Sequence, residues 1–312
     1  QTTTYTITAT GPGGRASAAA TVTVNAPPPE LTVSATPATI HAGLGETSTL
    51  AWSTLHAELV EIDNGIGSVA PNGSLAVSPS QTTTYTITAT GPGGVIRRSV
   101  TVTVASAINL AIQTPFDGAF IKRPDTLVRG TVENLAGHET GVTVNGLPAT
   151  VYQGQFFVNH VPLADGDNTI TVKATDAGGN TNELSITVTA DIERPSITLS
   201  LSDYNGIAPF EPVLMVDSAL TVDSMSFSDN GAGQILYLDG AEEGERIARI
   251  SSQGCYFITA HASISGVDLT DTVGVVVYDT AGLDAMLRQK WESMRTALLS
   301  GDIETAVKDI AS

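Results

Sequence analysis

The run QTTTYTITATGPGG stands twice in this chain, at residues 1–14 and again at residues 81–94. Carried on to Val24 and Val104, the two copies agree at 18 of 24 positions at a shift of 80 residues. That period is too long for a solenoid unit and fits a small β-sandwich domain strung in an array. What precedes Gln81 has no counterpart before Gln1, so the first copy reads as the end of a domain and the chain as a segment of a longer tandem.

Each copy is a hairpin. In the first, Tyr5, Ile7 and Ala9 alternate with threonines, the period-2 pattern of a half-buried strand, and Gly11-Pro12-Gly13-Gly14 turns the chain back. A lone two-stranded hairpin is marginal in water, and its edges seek partners. It is therefore either the remnant of a domain or an element that another chain completes by strand addition. Asn25-Ala26-Pro27-Pro28-Pro29 follows as a short, stiff linker.

The second copy closes a complete unit. Leu31 and Val33 open it, Leu50 and Trp52 alternate toward a core, and Asn64-Gly65 makes a turn before the hairpin with Tyr85, Ile87, Val100, Val102 and Val104 inward. Trp52 reads as the central core residue. Tyr5 and Tyr85, at strand starts after a Thr-rich corner, are candidates for the tyrosine corner of sandwich folds. A Trp-bearing strand ahead of an SPSQTTTYTITATGPGG hairpin resembles bacterial immunoglobulin-like repeats.

Residues 107–190 carry a different pattern, TPFDGAFI…GTV…VTVNGLPATV…FFVNHVPLADGDNTITVKATDAGGNT. It resembles the immunoglobulin-like family related to domain B of glucodextranase, found in surface proteins and as accessory modules of carbohydrate-active enzymes. The resemblance implies a spacer or a weak binding role, with no catalytic residues to carry over. Residues 191–278, with GIAPFEP…YFITAHASIS…DTVGVVVYD, resemble the polycystic-kidney-disease-type surface module, to which Gly254-Cys255-Tyr256 fits loosely. If Tyr256 faces the core, Cys255 points out or into an edge and is an inert structural thiol.

The tail changes period. Leu283, Leu287, Trp291, Met294 and Leu298 fall at steps of four, four, three and four, an amphipathic helix whose apolar stripe needs cover from the sandwich or another chain. Asp279 or Thr280 caps its start. Gly301 ends it, and Asp302 starts a second helix through Ile303, Val307 and Ile310. WESMRTALLSGDIETAVKDIAS resembles the opening helices of nuclear-transport-factor-2-type domains, and the alternative is a helical cap folded on the last sandwich.

The expected fold is thus mainly β: tandem immunoglobulin-like sandwiches with a short C-terminal α-helical tail. The segments are 1–25 (a hairpin of a truncated domain), 26–106, 107–190 and 191–278 (three sandwiches), and 279–312 (the helical tail).

Chemistry is sparse. The net charge of −18 lacks the basic footprint that nucleic acid needs and opposes adsorption to anionic membranes. No run approaches the roughly 18 apolar residues of a membrane-spanning helix. Cys255 is the single cysteine, so no intrachain disulfide forms. The five histidines lie in separate segments without metal-ligand spacing, and no nucleophile elbow or phosphate-cradling loop stands out. No catalysis is expected.

The acids are concentrated late: residues 193–278 carry twelve acids against three bases. Solubility is one reading of them and calcium the other, since hard cations want several oxygen ligands on a flexible loop. The candidate ligands are Asp165, Asp167 and Asn168 at one corner, Asp176 and Asn180 at another, and Asp191 and Glu193 at a domain junction. No other cofactor is implied.

Two functions remain. One is a structural array, extracellular or on the cell surface, whose partners are neighbouring domains or further copies; the helix residues Leu283, Leu287, Trp291, Met294 and Leu298 are its assembly candidates. The other is a glycan- or surface-ligand-binding accessory module of a larger enzyme or adhesin, with Tyr152, Phe156 and Phe157 as contact candidates. One of that adjacent Phe pair must face the core.

Overall fold

Thr, Val and Ile in alternation favour pleated strands, and strands dominate the computed structural model, which describes residues 2–230, 233–240 and 245–303. It contains two compact units, residues 1–107 and 108–312.

In the first unit the leading hairpin pairs Thr3–Gly11 with Gly14–Val22, Tyr5 opposite Ala20. The second copy pairs Thr83–Gly91 with Gly94–Ala105 in the equivalent register, Tyr85 opposite Val100. Their surroundings differ completely. Tyr5 and Ile7 are 60% and 75% exposed, whereas Tyr85 and Ile87 are 5% and 1% exposed. The difference comes from the sheet of Glu30–Thr36, Ser48–Leu55 and Gly73–Val77, which covers the second hairpin with Leu31, Leu50 and Trp52. The Trp52 indole N–H is satisfied by the Ala70 carbonyl at 2.8 Å, as a buried polar tip requires.

The second unit holds two more sandwiches. In the earlier one, a sheet including Ile108–Thr114, Asp125–Asn134 and Gln155–Pro162 faces a sheet including Gly166–Asp176 and Thr181–Ala190. Phe156, Val128, Ile170 and Val172 fill its core. In the later one, Ile197–Leu201 and Val213–Ser218 face Gly254–Ile264 and Val267–Tyr278. Here Tyr256 is fully buried, and its hydroxyl donates to the Ser252 carbonyl at 2.8 Å. This bond makes a tyrosine corner in the third sandwich.

All three sandwiches share one device. A short early strand pairs parallel to the last long strand: Thr39–His41 with Gly94–Ala105, Phe120–Ile121 with Thr181–Ala190, and Asn205–Ile207 with Val267–Tyr278. The early strands thereby occupy positions in both sheets of a sandwich, which is the immunoglobulin-like pattern.

The helix Thr280–Ser300 follows directly. Asp279 caps it by accepting the Gly282 N–H at 2.7 Å, and Gly301 ends it in the left-handed region at φ 79°. Its covered face is turned from the expected stripe. Ala297 is buried and Leu283, Lys290 and Met294 are half-buried, while Leu287, Trp291 and Leu298 are exposed. Lys290, on the covered side, reaches Glu139 of the earlier sandwich at 3.0 Å. The second helix expected through Val307 and Ile310 lies outside the described residues.

Candidate functional site at the seam of two sandwiches

Three apolar runs fail to alternate: Phe156-Phe157-Val158, Tyr256-Phe257-Ile258 and Val275-Val276-Val277. Strands that read this way are buried on both faces. One face of each strand fills its own sandwich. The other meets its counterpart across a seam, where Leu127 and Phe157 of the second sandwich pack on Phe257 and Val276 of the third. The rings of Phe157 and Phe257 meet edge to face at 5.7 Å, and those of Tyr152 and Tyr278 at 5.5 Å. Gly274 is required here, because a Cβ on it would come within 2.6 Å of the Phe157 ring.

Beside this apolar patch a β-bulge aims polar groups across the seam. Strand Gln155–Pro162 pairs Val161 with Thr126 and Val158 with Val128, so Asn159 and His160 together oppose Leu127. A bulge of this kind redirects side chains, and His160 sits in the left-handed region at φ 52°. The Asn159 amide donates to the Gly274 carbonyl at 2.9 Å and accepts the Gly274 N–H at 2.7 Å. The His160 Nε2 meets the Leu199 carbonyl at 3.0 Å, and its Nδ1 lies 3.3 Å from Asp125 and 3.9 Å from Asp271.

An ionic bridge completes the joint. Arg123 binds Asp125 of its own sandwich at 2.6 Å and the buried Asp271 of the third. Asp271 also accepts the Leu199 N–H at 2.7 Å. Burial pushes the Asp125 carboxyl upward, but the His160 hydrogen bond and the Arg123 charge outweigh it and hold the group below the usual carboxylate range. The bond to Asp125 raises His160 above the usual imidazole range, against the opposing effect of burial. A buried pair gains little over an apolar one, but removing one partner strands the other charge and costs several kcal/mol. Such a network fixes one mutual orientation.

A cleft of about 400 Å³ opens along the seam, lined by Arg123, Arg129, Asp229, Asn230, Phe257 and Asp271 among others. The Arg129 guanidinium lies 4.4 Å over the Phe257 ring. Cys255 packs into the seam instead of pointing to solvent, and burial pushes its thiol up to about 11, Arg129 opposing.

The expected site residues fall as follows. Phe156 is wholly inside its own core, and Phe157 and Tyr152 lie in the seam. They form no exposed aromatic platform, because the third sandwich covers the face on which a glycan would have stacked. Asn168 closes its own turn, with Oδ1 accepting the Ala164 N–H and Nδ2 donating to the Ala164 and Gly166 carbonyls, each at 2.8 Å. Asp167 accepts from Thr189, Asp165 from the Ile192 N–H, and Asp191 pairs with Arg194. Glu193 is exposed. Among the described residues no three His, Cys, Asp or Glu side chains converge in a way that could hold a metal.

Among the described residues Ser228 Oγ and His261 Nε2 make a nucleophile-like pair at 2.7 Å, on an exposed sheet face. Among the described residues no carboxylate hydrogen-bonds the other ring nitrogen of His261, the orienting partner that a hydrolytic triad needs. No helix of the described residues is long and apolar enough to cross a membrane.

The chain is a tandem of immunoglobulin-like β-sandwiches. Residues 108–192, the second sandwich and the start of the junction, match the profile of the family "Glucodextranase, domain B". No curated protein matches in sequence. Solved structures that align with the chain include the following. The N-terminal eight immunoglobulin domains of Down syndrome cell adhesion molecule align at 13% identity and TM-score 0.28, over 88% of this chain and 44% of that one. The I9–I11 tandem of titin aligns at 13% identity and TM-score 0.25, over 80% and 99%. The fibronectin(III)-like modules of Clostridium thermocellum CbhA align at 12% identity and TM-score 0.22, over 55% and 96%.

Proposed function

We propose that this chain serves as a non-catalytic spacer in an extracellular or cell-surface array, holding consecutive domains in fixed orientation and using its uncovered apolar faces to join further domains or copies. The observation that carries this reading is the seam. Interfaces between domains of one chain allow relative motion unless they are substantial and apolar, and here aromatic packing, an amide clasp and an ionic bridge act together. The exposed Tyr5 and Ile7 on the hairpin and Leu287, Trp291 and Leu298 on the helix support the assembly part. No cofactor is needed for this role.

Light scattering over a dilution series tests assembly. Mass that grows with concentration supports joining through the hairpin or helix, and a constant monomer mass reduces the role to a passive spacer.

A second reading is favoured by the domain B match and by the polar cleft beside Arg129: an accessory module that binds a glycan or another surface ligand. A glycan panel tests it, and binding that is lost in Arg129→Ala would move the function to the cleft.

A further inference from the structure

His160 stands between two acceptors. Its Nδ1 faces the carboxylate of Asp125, with Asp271 behind, and its Nε2 faces the Leu199 carbonyl. A neutral imidazole carries one N–H and satisfies one of these contacts, turning a lone pair on the other; an imidazolium donates to both. The charges agree with the hydrogen bonds. The titratable and charged groups facing His160 among the described residues are Arg123 and Asp125 of its own sandwich and Asp271 of the third. With the imidazolium, two cations balance two carboxylates in a half-buried site. With neutral imidazole, one negative charge is left without balance.

We propose that His160 makes the seam a proton-gated joint, locked when the ring is charged and loosened when it is neutral. The proposal rests on the reading of the seam as the element that fixes domain orientation, and it adds the regulation of that element. Among the described residues only the contact to Leu199 joins His160 directly to third-sandwich backbone, so its loss weakens the joint without unfolding either sandwich.

The signs give a window. A histidine raised in the locked state contributes fully below about 6.5 and loses its contribution as pH rises through its folded value. Asp125 is held low by His160 and Arg123 of its own sandwich, so its titration bears on the second sandwich and not on docking. The Asp125 bond, the main cause of the rise in His160, likewise stays within the second sandwich. The parts owed to Asp271 and to the Leu199 carbonyl are the ones lost when the third sandwich leaves. The joint is therefore tightest in mildly acidic solution, and each unit of rise owed to those two groups corresponds to about a tenfold shift in the locked-to-loose ratio.

The test uses the full chain with Cys255→Ser, Glu183→Cys and Asp217→Cys, spin-labelled at the two exposed positions, one on each sandwich. Pulsed electron-spin distances are recorded from pH 5.5 to 9, and the His160 ring is followed by NMR, its signal assigned by loss in His160→Gln. The expected result is a narrow distribution at pH 5.5 that broadens with the midpoint of the His160 titration, and no pH response in His160→Gln. A distribution that stays narrow throughout overturns the gate and leaves the fixed seam standing. A distribution broad at every pH overturns the seam itself. A response that persists in His160→Gln overturns the assignment to this residue.

Discussion

Replacing Phe157 by alanine separates the seam from the fold. Phe157 and Phe156 are adjacent in one strand and both buried, but Phe156 fills the second sandwich and Phe157 the joint. An aromatic side chain buries roughly 200 Å², which at about 25 cal/mol per Å² gives an upper bound of about 5 kcal/mol. Losing the edge-to-face contact with Phe257 adds about 1 kcal/mol. Relaxation around the gap and residual burial in the reference state pull the other way, so a net loss of about 3–4 kcal/mol is expected. Phe157→Ala takes this loss from docking and leaves the second core intact. In hydrogen exchange, protection should fall along Val267–Tyr278 of the third sandwich, while Gly166–Asp176 keeps its protection. Phe156→Ala should reverse that pattern. A Phe157→Ala loss below about 1 kcal/mol, or unchanged exchange across the seam, would refute the reasoning.

Further expectations concern single sites. Burial raises the Asp176 carboxyl, but bonds from Asn180 and Asn134 overcome this and hold it well below the usual range. Asp176→Asn should cost about 2–3 kcal/mol near neutral pH, and the difference from wild type should begin to shrink as pH falls below about 4 and continue to shrink toward the depressed folded value, read by denaturant midpoints. Trp291→Ala, on the exposed helix face, should change stability by less than about 0.5 kcal/mol while reducing any concentration-dependent mass. Chelator should leave the thermal melt unchanged, since Asn168 closes its own turn and Asp167 and Asp165 accept from Thr189 and the Ile192 N–H; a melting temperature that chelator lowers, and that Asp165→Asn with Asp167→Asn makes insensitive to chelator, would establish calcium at that corner.

Strand alternation made the sandwich cores legible: Trp52, Tyr85 and Ile87, and one of each adjacent aromatic pair, are where period-2 reasoning puts them. What alternation does not tell is what covers the other face. Phe157 reads equally well as a glycan platform or as half of a domain joint, and the choice depends on Phe257, a hundred residues away. The signal was present in the three unbroken apolar runs, which mark strands buried on both sides. The polar half of the joint gave no such signal. Asn159 and His160 cross the seam because a bulge displaces them, and a bulge depends on the pairing of two strands. The two hairpins show the same limit, since near-identical sequences in equivalent register are buried in one place and exposed in the other. The helix stripe is legible in the spacing, but which of its residues are covered is not: Leu283 and Met294 are half-buried while Leu287, Trp291 and Leu298 are exposed.

The central claim is that the second and third sandwiches behave as one body. Residual dipolar couplings measured on the full chain at pH 6 test it most directly. A single alignment tensor that fits the amides of 108–190 and 197–278 together is the predicted result. Two tensors of different magnitude would mean that the sandwiches reorient independently, and would contradict the account.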